Sequence, residues 1–461
     1  MVKRRRSRKV NAYNPQSAQF RQKSRYRPSK RSILKRQLLA LLTLIVIVIA
    51  LIGLIVNIKP ETVISSKLNA RPQVLKNQSK SSLVVDFQTG QIIAENNINA
   101  KFANASTSKL LTAYLVNKAV KEGKLSWNQG ISPDEAVSEL SQNTDYVNVP
   151  LMVGEKYTVK DLLSASINLS ANAATILLGN AVSGNPADFA ELMNKTAKSF
   201  GIPKGQYHFI NAAGMQNGVL GSAKITNAPD DDENEISAEG IATITYRLFH
   251  DYPNVIDVLN QGDVIFGDIK QDSYTRRINS YLDSINSNYD LIGAKTGSSQ
   301  KAGSVITGLF ENKKNQTKYI SVVMNGSDYT DPFTTWQTAS TDIDSATKKM
   351  KDIKLTAGQV ALGASYVNVL QTTANKINLV ANDSINYWSR NKGEISFNPI
   401  ENNWTLTSVN KKSVFKTKAN NLTNAEFLYS TKNKDNVILV PEESSTTEMN
   451  PLIKFWRWIV Y

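Results

Sequence analysis

Asn104-Ala-Ser-Thr-Ser-Lys-Leu-Leu-Thr-Ala-Tyr-Leu-Val116 is the stretch on which the reading of this chain turns. Ser106 and Lys109 stand three apart, close to one helical turn, so a hydroxyl and an amine share a face. Leu110, Leu111, Tyr114 and Leu115 supply an apolar face behind them. The pattern predicts a helix from Ser106 to Glu122, stopped by Gly123. At a helix start the serine oxygen also gains from the local positive field. A hydroxyl with an amine beside it is the pairing that nucleophilic catalysis requires.

Outward from this segment the pattern alternates between strands and helices. Leu83–Val85 and Gln91–Ile93 flank Gln88-Thr89-Gly90, a hairpin signal. Thr158 with Asp161 three residues on is a capping box. Pro186 opens and Gly201 closes a further helix. Strands return at 303–310 and 317–324 around a polar turn, and a last helix is expected from about Asp331 to Met350. Strands, a helical middle, then strands and a helix describe an α+β domain whose sheet takes both ends of the segment, 81–350. Beyond it come short alternating runs at 366–370, 376–380, 404–407 and 437–440, which predict a small all-β domain over 351–445. Residues 58–80 are polar and unpatterned, and are expected to be a tether.

The net charge of +15, from 54 basic and 39 acidic residues, suggests nucleic acid until it is located. Residues 1–36 hold fourteen of the Lys and Arg and no acid, leaving 40 basic against 39 acidic elsewhere. A block this compact is a solvated tail, and nucleic acid is set aside as a partner. Leu38–Val56, LLALLTLIVIVIALIGLIV, carries no charge and is long enough to cross a bilayer core of about 30 Å. A single-pass transmembrane helix is therefore expected over 37–57, not a cleaved signal peptide. Its basic leader would lie in the cytoplasm and the rest outside the cell. At the other end Pro451–Tyr461, PLIKFWRWIVY, mixes aromatics with Lys454 and Arg457 and is suited to a membrane surface.

Cysteine is absent, which removes a thiol nucleophile, disulfides and thiolate metal sites. With His208 and His250 the only histidines, a His-rich zinc site cannot be built. The acidic run Asp230–Glu233 has Glu235 where a calcium loop needs glycine. No metal or organic cofactor is expected.

Two further motifs complete the chemistry. Ser170-Ala171-Asn172 opens an apolar helical run, and Lys295-Thr296-Gly297 sits just ahead of a strand. Each is short, and the first two types recur elsewhere in the chain; their order and context carry the weight. Ser-x-x-Lys, Ser-x-Asn and Lys-Thr-Gly together mark class A β-lactamases and penicillin-binding proteins. With these motifs, and with 81–97, 153–174, 189–202 and 293–310 in matching order, the chain resembles the low-molecular-mass penicillin-binding proteins, serine-type D-alanyl-D-alanine carboxypeptidases. The resemblance runs from about Ser81 to Pro441.

It implies a β-lactamase/transpeptidase-like catalytic domain, an antiparallel sheet with a helical subdomain, followed by a small β-sandwich-like domain. It implies acylation of Ser106, with Lys109 as its base and Ser170 as a proton relay. Asn172, Lys295, Thr296, Gly297 and Ser298 would bind substrate, the backbone N–H groups of Ser106 and Ser298 forming the oxyanion hole. The implied partners are peptidoglycan stem peptides ending in D-Ala-D-Ala, β-lactam antibiotics and the cell membrane. Two positions depart from the family pattern: Asn104 stands where proline is common, and Ser298 where a bulkier residue is common. The alternatives are a D,D-endopeptidase or transpeptidase, a β-lactamase with Glu191 as deacylating base, and an inactive wall-binding protein.

Overall fold

The computed structural model describes residues 29–56, 66–368, 376–400, 413–431 and 437–442. Helix α1 spans Lys30–Val56. The expected membrane span is therefore helical as far as Val56, but side chains beyond Val48 lie outside the described residues. Among the described residues no helix is long and apolar enough to cross a membrane. Pro451–Tyr461 and the strand expected at 404–407 also fall outside them.

From residue 66 on, the organising element is a mostly antiparallel sheet. Short β1 (Leu68–Asn69) and β2 (Gln73–Val74) precede the hairpin β3 (Ser81–Asp86) and β4 (Gln91–Asn96). The hairpin turns where expected: Asp86 Oδ1 accepts from the Thr89 N–H and hydroxyl, both at 2.9 Å, and Gly90 takes φ +72°. Helices follow: α2 (Lys109–Lys121), α3 (Val159–Asn168), α4 (Asn172–Ser183), α5 (Pro186–Ser199) and α6 (Ala238–Asp251). Then come β5 (Tyr289–Ser299), β6 (Gly303–Asn312), β7 (Lys318–Met324) and α7 (Pro332–Lys349). The sheet order is β5-β6-β7-β3-β4-β2, so chain ends of the domain meet at its centre and β5 is left at an edge.

Both faces of this sheet are covered. Leu83, Val85 and Ile92 point into a core shared with the α2–α6 layer, while Val84 and Ile93 join Trp336 and Ile343 of α7 on the other side. That is why β3 (SSLVVD) is buried along its whole length and its centre, Leu83–Val85, is apolar on both faces. The caps expected from sequence are present: Thr158 accepts from the Asp161 N–H, Asn185 from the Asp188 N–H with Pro186 next, and Gly201 takes φ +84°.

Beyond α7, β strands at Lys351–Leu355, Tyr366–Asn368, Lys376–Ala381, Ile385–Ser389, Phe415–Thr417 and Val437–Pro441 enclose a third core around Leu379, Tyr387 and Phe397. They are fastened to the main sheet by Trp388, whose Nε1 donates to the buried Asp86 carboxylate at 3.0 Å. The main chain of Trp388 also exchanges hydrogen bonds with the Gln91 amide. Glu426–Phe427 adds directly to β4.

The stretch expected as an unpatterned tether is corrected over its described part. β2 pairs with β4, and β1 pairs with Leu422–Thr423. Leu68, Ala70 and Leu75 are buried. Two-residue strands carry too little periodicity to register in a sequence, and their partners lie hundreds of residues away for β1.

Candidate active site

Ser106 does not begin an α-helix, as its sequence suggests. It lies in a 3₁₀ turn, Ala105–Ser108, and the α-helix starts at Lys109. The turn closes by hydrogen bonds from the Thr107 N–H (3.1 Å) and hydroxyl (2.7 Å) to the Asn104 carbonyl. Ala105 takes φ +42°, an uncommon conformation for a residue with a Cβ. The Asn104 amide is buried. Oriented so that both ends are satisfied, its Nδ2 donates to Asn234 O at 3.0 Å and its Oδ1 accepts from the Ser108 N–H at 3.1 Å. An amide can brace the turn from both ends, which the proline common at this position in the family cannot do.

Within this frame Lys109 is fully buried, with Nζ 2.6 Å from Ser106 Oγ, 2.8 Å from Asn172 Oδ1 and 3.3 Å from Ala213 O. Burial lowers its pKa well below the ordinary lysine value, and the charge of Lys295 lowers it further. Ser106 itself is half-buried. A lysine that gives up its proton readily, in contact with a partly accessible hydroxyl, has the chemistry a base needs beside a nucleophile.

Asn172 is the first residue of α4, and its Nδ2 donates to Val147 O at 3.0 Å. That contact fixes which end of the amide faces Lys109. Ser170, two residues earlier in the connection from α3, takes φ +60°. Such backbone strain in a non-glycine residue persists only where its surroundings impose it.

The third motif lies on edge strand β5, whose free side leaves backbone groups without a strand partner. Gly297 packs directly on the nucleophile turn: a Cβ there would meet Asn104 O at 2.5 Å and Ser106 N at 3.0 Å. The absent side chain thus serves contact between strand and turn, rather than room for the substrate alone. Lys295 is 3% exposed, donates to Thr296 O at 3.0 Å, and has its pKa lowered to about 7 by burial. Thr296 is half-buried, and the Tyr274 phenol accepts from Trp336 Nε1 at 3.0 Å. Ser298 is exposed at the edge.

Ser106, Lys109, Asn172, Lys295 and Gly297 are therefore brought together at the Ser106 turn, with Ser170 two residues from Asn172 and Ser298 next to Gly297, while others lie elsewhere. Glu191 is exposed on α5 and paired with Lys195, so it offers no deacylating carboxylate. In the acidic run, Asp230 pairs with Lys224, Asp232 accepts from His208 Nε2, and Glu233 faces Lys301. No cluster of metal-ligating side chains occurs among the described residues.

The segment Asn211–Met215 is the part of the site that sequence reading missed. Asn211 Oδ1 accepts from the N–H groups of Ala213, Gly214 and Met215 at 3.0, 2.7 and 3.2 Å, and its Nδ2 donates to Met215 O. Asn234 Nδ2 donates to Asn211 O and to Ser108 Oγ. Gly214 takes φ +76° and touches the nucleophile turn, where a Cβ would meet Ala105 O at 1.9 Å. Asn-Ala-Ala-Gly was the available signal, a turn composition with a buried amide.

The chain is similar to several known proteins. A family model described as D-alanyl-D-alanine carboxypeptidase matches residues 67–328. The D-alanyl-D-alanine carboxypeptidase DacF of Bacillus subtilis is 26% identical over 152 residues, 33% of this chain and 38% of the relative. DacA of Haemophilus influenzae is 27% identical over 252 residues, 54% of this chain and 58% of the relative. The chain thus spans about half the length of the curated relatives it matches. Among solved structures, a peptidoglycan synthesis regulatory factor (PBP3) from Streptococcus pneumoniae aligns with TM-score 0.68 at 23% identity, covering 80% of this chain and all of that one. At that identity the likeness concerns the fold.

Proposed function

This chain belongs to the D-alanyl-D-alanine carboxypeptidase family, and from that premise we propose that it removes the terminal D-alanine from peptidoglycan stem peptides through an acyl-enzyme on Ser106. The observation that carries this reading is the 2.6 Å contact between a buried, readily deprotonated Lys109 and Ser106 Oγ.

Neutral Lys109 takes the Ser106 proton as the oxygen attacks the carbonyl between the two D-alanines. The resulting oxyanion is held by the N–H groups of Ser106 and Ser298. The C–N bond then breaks, and the proton passes through Ser170 to the amine of the departing D-alanine. Water, deprotonated by the same lysine, hydrolyses the ester and restores Ser106. Asn172 orients Lys109 and the substrate amide, while Lys295 and Thr296 bind the terminal carboxylate alongside Gly297. A β-lactam would enter the same site and acylate the same oxygen.

We propose further that α1 anchors the chain in the membrane, with residues 1–36 in the cytoplasm and the catalytic part outside. In support, Leu38, Leu39, Leu42 and Ile45 are 46–69% exposed. Membrane fractionation of the full chain before and after deleting 37–57 tests this; unchanged sedimentation would reject it.

For the chemistry, the soluble part is incubated with a defined pentapeptide and the products are weighed by mass spectrometry. Loss of one alanine is expected. A joined dimer would instead indicate a transpeptidase, cleaved cross-links an endopeptidase, and no product with no penicillin label an inactive wall-binding protein.

A further inference from the structure

Among the described residues Lys109 Nζ has three oxygen neighbours besides its own carbon: Ser106 Oγ, Asn172 Oδ1 and Ala213 O. Two of these can only accept. Ala213 O is a backbone carbonyl, and Asn172 Oδ1 is fixed toward the lysine because its Nδ2 is engaged with Val147 O. A neutral amine has two N–H bonds and one lone pair. The two obligate acceptors take both N–H bonds, so the lone pair is left facing Ser106, the one neighbour able to donate. Without the carbonyl, the amine could turn an N–H toward Ser106 and point its lone pair away from the proton it has to take.

What holds the carbonyl is the turn built on Asn211. Its single side-chain oxygen gathers three successive N–H groups, and its Nδ2 closes the loop on Met215 O. The neighbouring carbonyl, Ala212 O, accepts from Thr112 Oγ1 on α2 at 2.8 Å. Asn211 is fully buried and makes no contact with Lys109 through its own side chain among the contacts described.

We propose that Asn211 is a positioning residue for the general base: by shaping the 211–215 turn it presents the Ala213 carbonyl that aims the lone pair of Lys109 at Ser106. This rests on the reading of Lys109 as the base. Among the described residues, the charged group facing Lys109 is Lys295 from β5, and the 211–215 turn brings no charge of its own.

Three variants of the full-length protein, solubilised in detergent, test it, read by the pH dependence of Ser106 acylation with penicillin and by a ¹³C NMR titration of the Lys109 side chain. Asn211→Ala is expected to remain folded and acylate more slowly by ten- to a hundredfold, the scale on which small displacements at reacting groups act. Asn211→Asp can still gather the three N–H groups but adds a negative charge behind the carbonyl, so the Lys109 titration and the acylation limb move together to higher pH. Asn217→Ala removes another buried amide, which donates to Ile225 O and Ala228 O away from Lys109, and controls for general loosening. It should leave both readouts unmoved.

A folded Asn211→Ala enzyme with wild-type acylation overturns the proposal. So does an unmoved Lys109 titration in Asn211→Asp, which decides the matter if the alanine variant does not fold. A matching shift in Asn217→Ala overturns it as well. Wild-type protein that fails to acylate would instead break the underlying reading of Ser106, while the NMR titration still tests the link from Asn211 to Lys109.

Discussion

Lys295 offers the sharpest test of substrate recognition. It is a buried amine whose pKa is lowered to about 7 by burial, with no carboxylate among the described residues beside it to hold the proton. A substrate ending in a free carboxylate would supply that missing partner and bind the protonated form. With a pKa of about 7, roughly half the enzyme is protonated at pH 7 and about one tenth at pH 8. Because kcat/KM reports the free enzyme, the preference for a free-acid peptide over its C-terminal amide should fall about fivefold between those pH values. Taking the ratio of the two substrates cancels the opposing rise as Lys109 deprotonates. Lys295→Ala removes a charge-assisted hydrogen bond of about 1.5–3 kcal/mol, so activity on the free acid should drop roughly ten- to a hundredfold. Loss on the amide should be far smaller, because the wild type already binds it poorly. Stopped assays of both peptides on both proteins from pH 6 to 9 measure this. Equal losses on the two substrates, or a ratio independent of pH, would refute the carboxylate clamp and leave Lys295 as a modulator of Lys109 alone.

Ser106→Ala should abolish penicillin labelling while leaving the melting temperature near that of wild type; label persisting on the variant would remove Ser106 from the mechanism. Gly297→Ala should slow labelling by more than tenfold in a folded protein, because its Cβ would meet the unyielding backbone of Asn104 and Ser106; wild-type rates would mean that the strand and turn need not touch. Lys295→Met should raise thermal stability most at low pH. Its folded pKa lies below the unfolded value, so the wild type is penalised while the lysine must be charged, fully below pH 7 and not at all above about 10.5; a gain that is flat in pH would contradict this. Deleting Pro451–Tyr461 should weaken liposome flotation of the soluble part, and equal flotation would reject a membrane contact read from sequence alone.

The linear chain was most informative where chemistry is local. Ser106 with Lys109, Ser170 with Asn172, and Lys295-Thr-Gly297 are each set by spacing of a few residues, and caps such as Thr158 with Asp161 are decided within one turn. The hairpin at Asp86–Gly90 is likewise a local outcome, since its hydrogen bonds and positive φ involve neighbours in sequence. The order of strands and helices, and with it the α+β class, follows from apolar periodicity in windows of this size.

Tertiary structure decided whatever depends on two distant segments touching. No pattern around Ser106 announces a 3₁₀ turn, because what braces it is Asn234 from the segment ahead of α6, with Gly214 and Gly297 packed against it. Residues 68–75 looked like a tether because their strands are two residues long and paired at long range. Asn211 acts through backbone groups, and a carbonyl has no letter of its own in a sequence. The lowered pKa values of Lys109 and Lys295 belong to the same class: a lysine is an ordinary cation in any sequence, and only the removal of water around it in the folded chain eases the loss of its proton.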